Sequence, residues 1–269
     1  MTLPETDLAN QPEPAPRQRF FNLPGVVVWT LAVLGGVHLL RMAISDDADD
    51  WVIRTFAFIP YRLTGSEPDA FPGGTLGSAW TFLTYALLHA DLGHILVNGF
   101  YLAAFGSPLA RRLGTLRFLA FTAAGAVGGA LLHLATHVGG LAPVVGASAA
   151  ISAHLAGTCR FGFAPGGPLT REGQQSGEAA YRLPAMPLLV TLAQRPVQIF
   201  LLTWFGVNLV FGLVGGGGAI VSGGIAWEAH IGGFLVGLLA FPLFDRILPP
   251  LPPSVDPTDD LEGPAVESN

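Results

Sequence analysis

The sequence contains no lysine, only one cysteine and few charged residues. Charged residues make up 12% of its 269 residues, about half of their share in a typical soluble domain. Every basic residue is an arginine, and no basic patch with interleaved aromatic residues is visible, which disfavours nucleic-acid binding. Cys159 has no partner within the chain, so a disulfide-stapled secreted scaffold is excluded.

Apolar residues are abundant instead. They form 51% of the chain, and the mean hydropathy is +0.52. A bilayer-spanning helix needs roughly 20 apolar residues, and runs of that kind occur at 24–44, 79–110, 116–136, 143–159, 197–214 and 225–248. The sequence therefore predicts an all-α, polytopic membrane protein.

One of these runs is too long for a single span. A straight helix over 79–110 would reach roughly 48 Å, well past a hydrocarbon core of about 30 Å. Polar residues and glycine interrupt it between His89 and His94, and Asp91 is a favourable N-cap. We therefore predict an interfacial or re-entrant piece over 79–89 and a span that starts near Leu92, which gives six spans in total.

The arginines predict the orientation. If the N-terminus lies inside, ten arginines fall in inner segments and three in outer segments (Arg41, Arg54 and Arg62), as the positive-inside rule requires. The expected domains are a polar cytoplasmic segment 1–23, a six-helix membrane domain 24–248 and an acidic, proline-rich cytoplasmic tail 249–269. A bacterial inner membrane is the default location, an organellar membrane is the alternative, and the lipid bilayer forms the surroundings.

Polar side chains inside spans are costly and indicate function. Ser148 lies in the first turns of the predicted fourth span, His230 near the start of the sixth, and His94 and Asn98 in the first two turns of the second. All three helix ends face outward in the predicted orientation. These side chains are thus expected at a similar depth, roughly 10 Å below the outer surface.

This set of residues suits acyl transfer. A serine becomes nucleophilic when a neutral histidine accepts its proton, which predicts Ser148 as the nucleophile and His230 as the general base. The backbone N–H of Ser148 and the side chains of His94 and Asn98 are candidate donors to the oxyanion. Small residues allow membrane helices to approach closely, which predicts that Gly146, Gly233 and Gly237 bring the fourth and sixth helices together.

The pattern resembles the rhomboid intramembrane serine proteases. The resemblance is carried by His89-x4-His94-x3-Asn98, Gly146-x-Ser148, and Ala229-His230-x-Gly232 followed by Gly233-x3-Gly237, in this order. It implies a six-helix rhomboid-like bundle, a Ser148–His230 dyad in a water-filled cavity that opens outward, and lateral gating by the fifth helix. It also implies that His94 and Asn98 line the oxyanion hole, that His89 supports the loop before the second helix, and that transmembrane protein helices are the substrates.

The chain departs from the family pattern at three positions. Ala149 stands where glycine usually follows the serine, and Ala110 replaces an acidic residue. Ser152 stands where the family usually has an aromatic ring that stacks on the catalytic histidine. The departures leave the candidate nucleophile and base unchanged.

The other polar residues in the spans give weaker indications of function. His133 and His137 have metal-ligand spacing, but the sequence shows no third ligand and no H-E-x-x-H motif, so neither a metal nor another cofactor is expected. Glu228 precedes His230 by two residues and is expected on a different helix face, which predicts a dyad rather than a triad. Asn208 in the fifth span is expected to act only in interhelical packing.

The leading interpretation is a serine endopeptidase that cleaves transmembrane helices through an acyl-enzyme. A rhomboid-like pseudoprotease that binds transmembrane clients without cutting them is the alternative. A small-solute transporter is disfavoured, because the sequence lacks internal repeats.

Overall fold

The computed structural model describes residues 23–67, 70–213 and 226–245. The predicted tail 249–269 and all but the last residue of the predicted segment 1–23 lie outside these ranges. Within them the chain is helical and contains no β-strand; Phe58 and Val144 form an isolated antiparallel bridge. The α-helices, numbered along the chain, are α1 (Gly25–Met42), α2 (Asp46–Phe56), α3 (Tyr61–Thr64), α4 (Gly74–Thr84), α5 (Leu92–Tyr101), α6 (Ser107–Leu113), α7 (Thr115–Thr136), α8 (Ser148–Cys159), α9 (Arg171–Gln175), α10 (Leu188–Ala193), α11 (Arg195–Leu213) and α12 (Trp227–Phe244).

The predicted all-α polytopic fold is confirmed, and a helix lies at each predicted span. Over the described ranges, α1, α7 and α12 have the length and apolar composition to cross a membrane as single helices. The second span is divided into α5, a π-helical turn at Leu102–Gly106, and α6. The fourth span contributes only the 12 residues of α8.

The apolar run 79–110 is interrupted at its polar residues, as the sequence predicts. α4 continues as a 3-10 turn over Tyr85–Leu87, and the next helix begins at Leu92. Asp91 is the N-cap of α5, and its carboxylate accepts a hydrogen bond of 2.8 Å from the backbone N–H of His94. A short polar side chain that accepts from this position satisfies one of the free amides of the first helical turn.

The fourth helix begins later than predicted. Residues 143–147 precede α8 rather than forming its first turn, and α8 begins at Ser148. Val144 exchanges backbone hydrogen bonds of 2.8 and 3.1 Å with Phe58, and the N–H of Gly146 donates to the carbonyl of Tyr85 at 3.0 Å. These partners belong to the segment between α1 and α5, so tertiary pairing takes the backbone groups that a helical turn would use.

α8 occupies the centre of the bundle. Every residue from Ala149 to Cys159 is buried, and α7 and α12 pack against this helix. Glycines make the contact close: a Cβ atom on Gly233 would overlap the carbonyl of Ala149, and one on Gly237 the carbonyl of Ala153. Both glycines therefore lie at the crossing of α8 and α12.

The segment between α1 and α5 is held together by Arg62. Its guanidinium is almost completely buried and donates to the carbonyls of Arg54 at 2.6 Å and Pro72 at 2.9 Å. It also lies over the ring of Phe71 at 5.3 Å. Burial lowers the pKa of Arg62 from its usual value. These contacts tie α2, α3 and the start of α4 into one cap.

Candidate active site

Ser148 and His230 meet across the crossing of α8 and α12. Ser148 is the first residue of α8, and His230 lies in the first turn of α12. The serine Oγ is 2.8 Å from Nε2 of the imidazole, and both residues are half-buried. The glycine contacts one and two turns further along α12 allow this approach. Two residues separated by 82 positions in the sequence are thus within hydrogen-bond reach.

The other ring nitrogen of His230 contacts a residue that the sequence analysis assigned only to packing. Asn208 on α11 presents its Oδ1 to Nδ1 of His230. Its own Nδ2 donates to the carbonyl of Trp204 at 2.8 Å, which fixes the orientation of the amide. An oxygen at Nδ1 requires a proton there, so a neutral ring carries its lone pair on Nε2, toward Ser148.

The expected dyad therefore has a third polar member. The only sequence signal for it was an amide within an apolar span. Sequence spacing does not show which face of α11 meets α12. The result is a Ser–His–Asn chain of hydrogen bonds rather than an isolated pair.

Ser152 does not take the place of the missing aromatic ring. Its hydroxyl donates to the carbonyl of Ser148 at 2.7 Å, one turn back in the same helix. The contact that fixes the ring of His230 comes from α11 instead of α8. Where the family usually has an aromatic ring on this helix, the chain has Ser152, and the ring of His230 contacts Asn208 instead.

His94 and Asn98 line the same cavity as Ser148 and His230, which we name the outer cavity because it lies at the helix ends that the sequence predicts to face outward. This cavity has a volume of about 660 Å³. Among the described residues, Nδ2 of Asn98 and Nδ1 of His94 are buried and have no hydrogen-bond partner. A buried donor without a partner is costly, so the Asn98 amide is available to an oxygen that enters the cavity.

Gly146 lies beside His94 rather than in the helix crossing where it was predicted. Its φ is +121°, a conformation that favours glycine. A Cβ atom here would lie 2.6 Å from Nε2 of His94. Because residue 146 precedes α8, its small size makes room for the imidazole and not for α12.

His89 packs under His94. It is completely buried, and the two rings meet edge to face with their centroids 5.0 Å apart. The carbonyl of His89 accepts from Nη1 of Arg41 at 2.7 Å, and Arg41 is paired with Asp49 at 2.6 Å. These contacts fix the loop before α5 to α1 and α2, where the resemblance places a supporting histidine.

A second, mostly apolar cavity reaches the same serine from the side. It has a volume of about 380 Å³ and is bounded by α5, α8 and α11. Its wall includes Tyr101, Phe200 and Trp204, together with Ser148 and His230. The serine is thus accessible from a polar cavity on one side and an apolar cavity on the other.

The structure brings a third potential metal ligand to His133 and His137, contrary to the sequence analysis. Glu228 Oε2 lies 3.9 Å from Nδ1 of His133, and Oε1 lies 3.8 Å from Nε2 of His137. The sequence separates this carboxylate from the two histidines by about ninety positions, and the crossing of α7 and α12 brings them together. All three residues line the outer cavity.

Comparison with protein-family models identifies the family of the chain. The family model for the rhomboid domain matches residues 76–165 and 178–246, and these two stretches contain the helices that carry Ser148, Asn208 and His230. A search of curated proteins finds no match. The matched stretches make up more than half of the chain and contain both helices of the central crossing. This integral membrane protein therefore belongs to the rhomboid family.

Proposed function

We propose that this rhomboid-family protein is a serine endopeptidase that cleaves transmembrane helices of other membrane proteins. The observation that carries the proposal is the hydrogen bond of 2.8 Å between Ser148 Oγ and His230 Nε2. A histidine acceptor within this distance is what a serine needs to act as a nucleophile. The resemblance in sequence and the family match support the same reaction class.

In the proposed reaction, the Oγ of Ser148 attacks the carbonyl carbon of a substrate peptide bond while its proton passes to Nε2 of His230. The C–N bond then breaks, and His230 gives the proton to the leaving amine, which leaves an ester on Ser148. Water attacks this ester, with His230 again accepting a proton, and the acid product departs as Ser148 regains its hydrogen. This is the general acid–base sequence of serine hydrolases.

The tetrahedral oxyanion requires hydrogen-bond donors. The backbone N–H of Ser148 is at the start of α8, where the helix dipole favours negative charge. The Nδ2 group of Asn98 is buried in the same cavity and has no partner among the described residues. We assign these two groups and His94 to the oxyanion hole, where each preorganised donor lowers the barrier.

The two cavities suggest how substrate and water reach the serine. The apolar cavity beside α11 fits an unwound, apolar stretch of a transmembrane helix. The outer cavity contains polar groups from His94, Asn98 and Glu228 and suits the water that hydrolyses the ester. Substrates with small, helix-weakening residues at the cleavage site are expected, because the peptide bond must leave its helix to reach Ser148.

Asn208 is assigned as a positioning residue. It accepts from Nδ1 of His230 and so keeps the basic Nε2 directed at the serine. A supporting hydrogen bond of this kind selects the tautomer and orientation of a catalytic imidazole. The proposed catalytic unit is therefore Ser148 and His230, with Asn208 orienting the base.

The arginine bias supports an orientation with both termini in the cytoplasm, and a bacterial inner membrane remains the default location. The outer cavity would then open to the side opposite the cytoplasm. Adding a reporter that is active on only one side of the membrane to either terminus tests this assignment.

A serine-reactive fluorophosphonate probe tests the proposed activity. We expect it to label the purified full-length chain in detergent, and we expect Ser148→Ala and His230→Ala to abolish both labelling and cleavage of a model transmembrane substrate. Ser107→Ala is the matched control, because this serine lies on α6 and does not line either cavity. Cleavage by the Ser148→Ala protein would refute the proposal.

The pseudoprotease is the second candidate, favoured by the replacement of the stacking aromatic ring by Ser152. It predicts binding of transmembrane clients without labelling of the wild-type chain. Co-purification of a client with a wild-type protein that the probe does not label would support this candidate over the protease.

A further inference from the structure

We infer that His133, His137 and Glu228 form a binding site for a zinc-class divalent cation at the outer ends of α7 and α12. The inference goes beyond the proposed protease activity and does not depend on it. It rests on the ligand atoms of two helices, which converge on one point beside the outer cavity.

The spacing of the three ligand atoms suits a shared ion. One nitrogen from each histidine and one carboxylate oxygen lie within 4.8 Å of one another. The two histidine–carboxylate distances of 3.8 and 3.9 Å are too long for hydrogen bonds. Ligands at normal zinc distances in tetrahedral geometry are about 3.4 Å apart, so small side-chain rotations are sufficient to close the site around an ion.

The imidazole of His133 provides an independent indication. Its side chain is 8% exposed, and over the described part of the chain its Nδ1 has no hydrogen-bond partner. This nitrogen is the atom that faces Glu228. A buried polar nitrogen without a partner carries a desolvation cost, which coordination of a cation would offset.

His137 is oriented by its neighbour. Its Nδ1 is hydrogen bonded to Oγ1 of Thr136 at 3.0 Å, which leaves Nε2 directed to Glu228. Ligating histidines commonly use their second nitrogen in this way. The side chain of His137 is 44% exposed, so an ion can enter from the cavity, and one coordination position is available to water.

The donor set selects the class of ion. Two imidazoles and one carboxylate match zinc sites with an open position, whereas calcium and magnesium prefer sets composed of oxygen atoms. The bound ion would join the last turn of α7 to the first turn of α12, two residues before His230.

Metal titration of the full-length chain, without a polyhistidine tag and in detergent, tests the inference. We expect saturable binding of Zn²⁺ at micromolar concentration and no competition from millimolar Mg²⁺. Co²⁺ is expected to give visible ligand-field absorption that Zn²⁺ abolishes. Because binding is measured directly, the outcome is independent of whether Ser148 is a nucleophile.

Variants test the assignment of the ligands. Glu228→Gln keeps the size of the side chain and His137→Gln changes an exposed residue, and each is expected to weaken zinc binding by at least about tenfold. Asp50→Asn, an exposed carboxylate on α2, is the control and is expected to bind like the wild type. Circular dichroism verifies that each variant is folded.

The inference is overturned if the wild type shows no saturable zinc binding. It is also overturned if folded Glu228→Gln and His137→Gln both bind zinc as tightly as the wild type, because a surface site elsewhere would then be responsible.

Discussion

α12 contacts its neighbours in two different ways. Against α7 and α8 it presents glycines whose Cα atoms approach the backbone so closely that no side chain fits. Against α11 it makes side-chain contacts, chiefly the Asn208–His230 hydrogen bond and the stacking of Trp204 on Phe234 with centroids 5.1 Å apart. Because backbone contacts allow less adjustment than side-chain contacts, the first interface is expected to fix the serine and histidine, and the second to allow movement.

This difference matters for the proposed reaction. The nucleophile and the base belong to the tightly packed pair α8 and α12. The residue that orients the base belongs to α11, which also bounds the apolar cavity beside Ser148. If the fifth helix moves to admit a substrate, as the resemblance implies, the Asn208–His230 hydrogen bond would be the part of the catalytic unit that responds.

The largest expected effect is at the tight interface. Gly233→Leu places a side chain against the carbonyl of Ala149, so α8 and α12 must separate. Overpacking of this kind costs about 1–3 kcal/mol or more, and we expect a clearly lower Tm together with loss of probe labelling at Ser148. Thermal unfolding in detergent and fluorophosphonate labelling measure the two effects.

Gly206→Leu on α11 is the matched control for that substitution. A Cβ atom at Gly206 meets no atom within 4 Å, so the same change is expected to leave the Tm almost unchanged. Equal destabilisation by the two substitutions would contradict the contrast between the interfaces.

A smaller and more selective effect is expected at Asn208. Asn208→Leu keeps the approximate size but removes the acceptor for Nδ1 of His230, and we expect the labelling rate to fall by about tenfold, equivalent to about 1.4 kcal/mol in barrier height, with the Tm changed little. Asn208→Asp retains an acceptor oxygen and is expected to label faster than Asn208→Leu. Both variants lose the bond to Trp204, so their comparison reports the combined effect of the acceptor oxygen and its charge at Nδ1 of His230.

Gln198→Ala controls for the loss of an amide from the same helix, because the Gln198 side chain donates to the carbonyl of Leu192 at the exposed end of α11, away from His230. Labelling of Asn208→Leu at the wild-type rate would remove Asn208 from the catalytic unit. Absence of labelling in the wild type would instead argue against the protease itself.

The smallest expected effect lies outside both interfaces, at the start of α5. Asp91→Ala removes the N-cap of the helix that carries His94 and Asn98, at a cost of about 1 kcal/mol. We expect a small decrease in Tm, with Asp91→Asn close to the wild type because asparagine also caps helices. A decrease as large as that of Gly233→Leu would show that the cap, and not the glycine crossing, dominates stability.

The sequence predicted most of the helical framework. Hydrophobic runs identified the spans, and Asp91 identified the break before α5, because both signals are local. The start of α8 was predicted too early, since Val144 pairs with Phe58 and Gly146 with Tyr85, and both partners belong to another part of the chain. Pairing between distant segments has no signature in a run of apolar residues.

The candidate site was predicted only in part, because contacts between distant segments leave no local signal in the sequence. Ser148, His230, His94 and Asn98 were selected by their depth and by motif. Asn208 and Glu228 were both noticed, but their roles depend on which neighbouring helix each one faces, and helix spacing gives relative faces only within a single helix.

By itself, the sequence determined that the chain is a helical membrane protein, because the hydrophobic effect acts on composition and on the length of apolar runs. It also determined the residue types available for acyl transfer. The tertiary structure alone decided that Asn208 meets His230 and that Glu228 meets His133 and His137. Those contacts arise from the crossing of helices distant in sequence, where glycine packing sets the rotation and separation of each helix and so selects which polar side chains face one another.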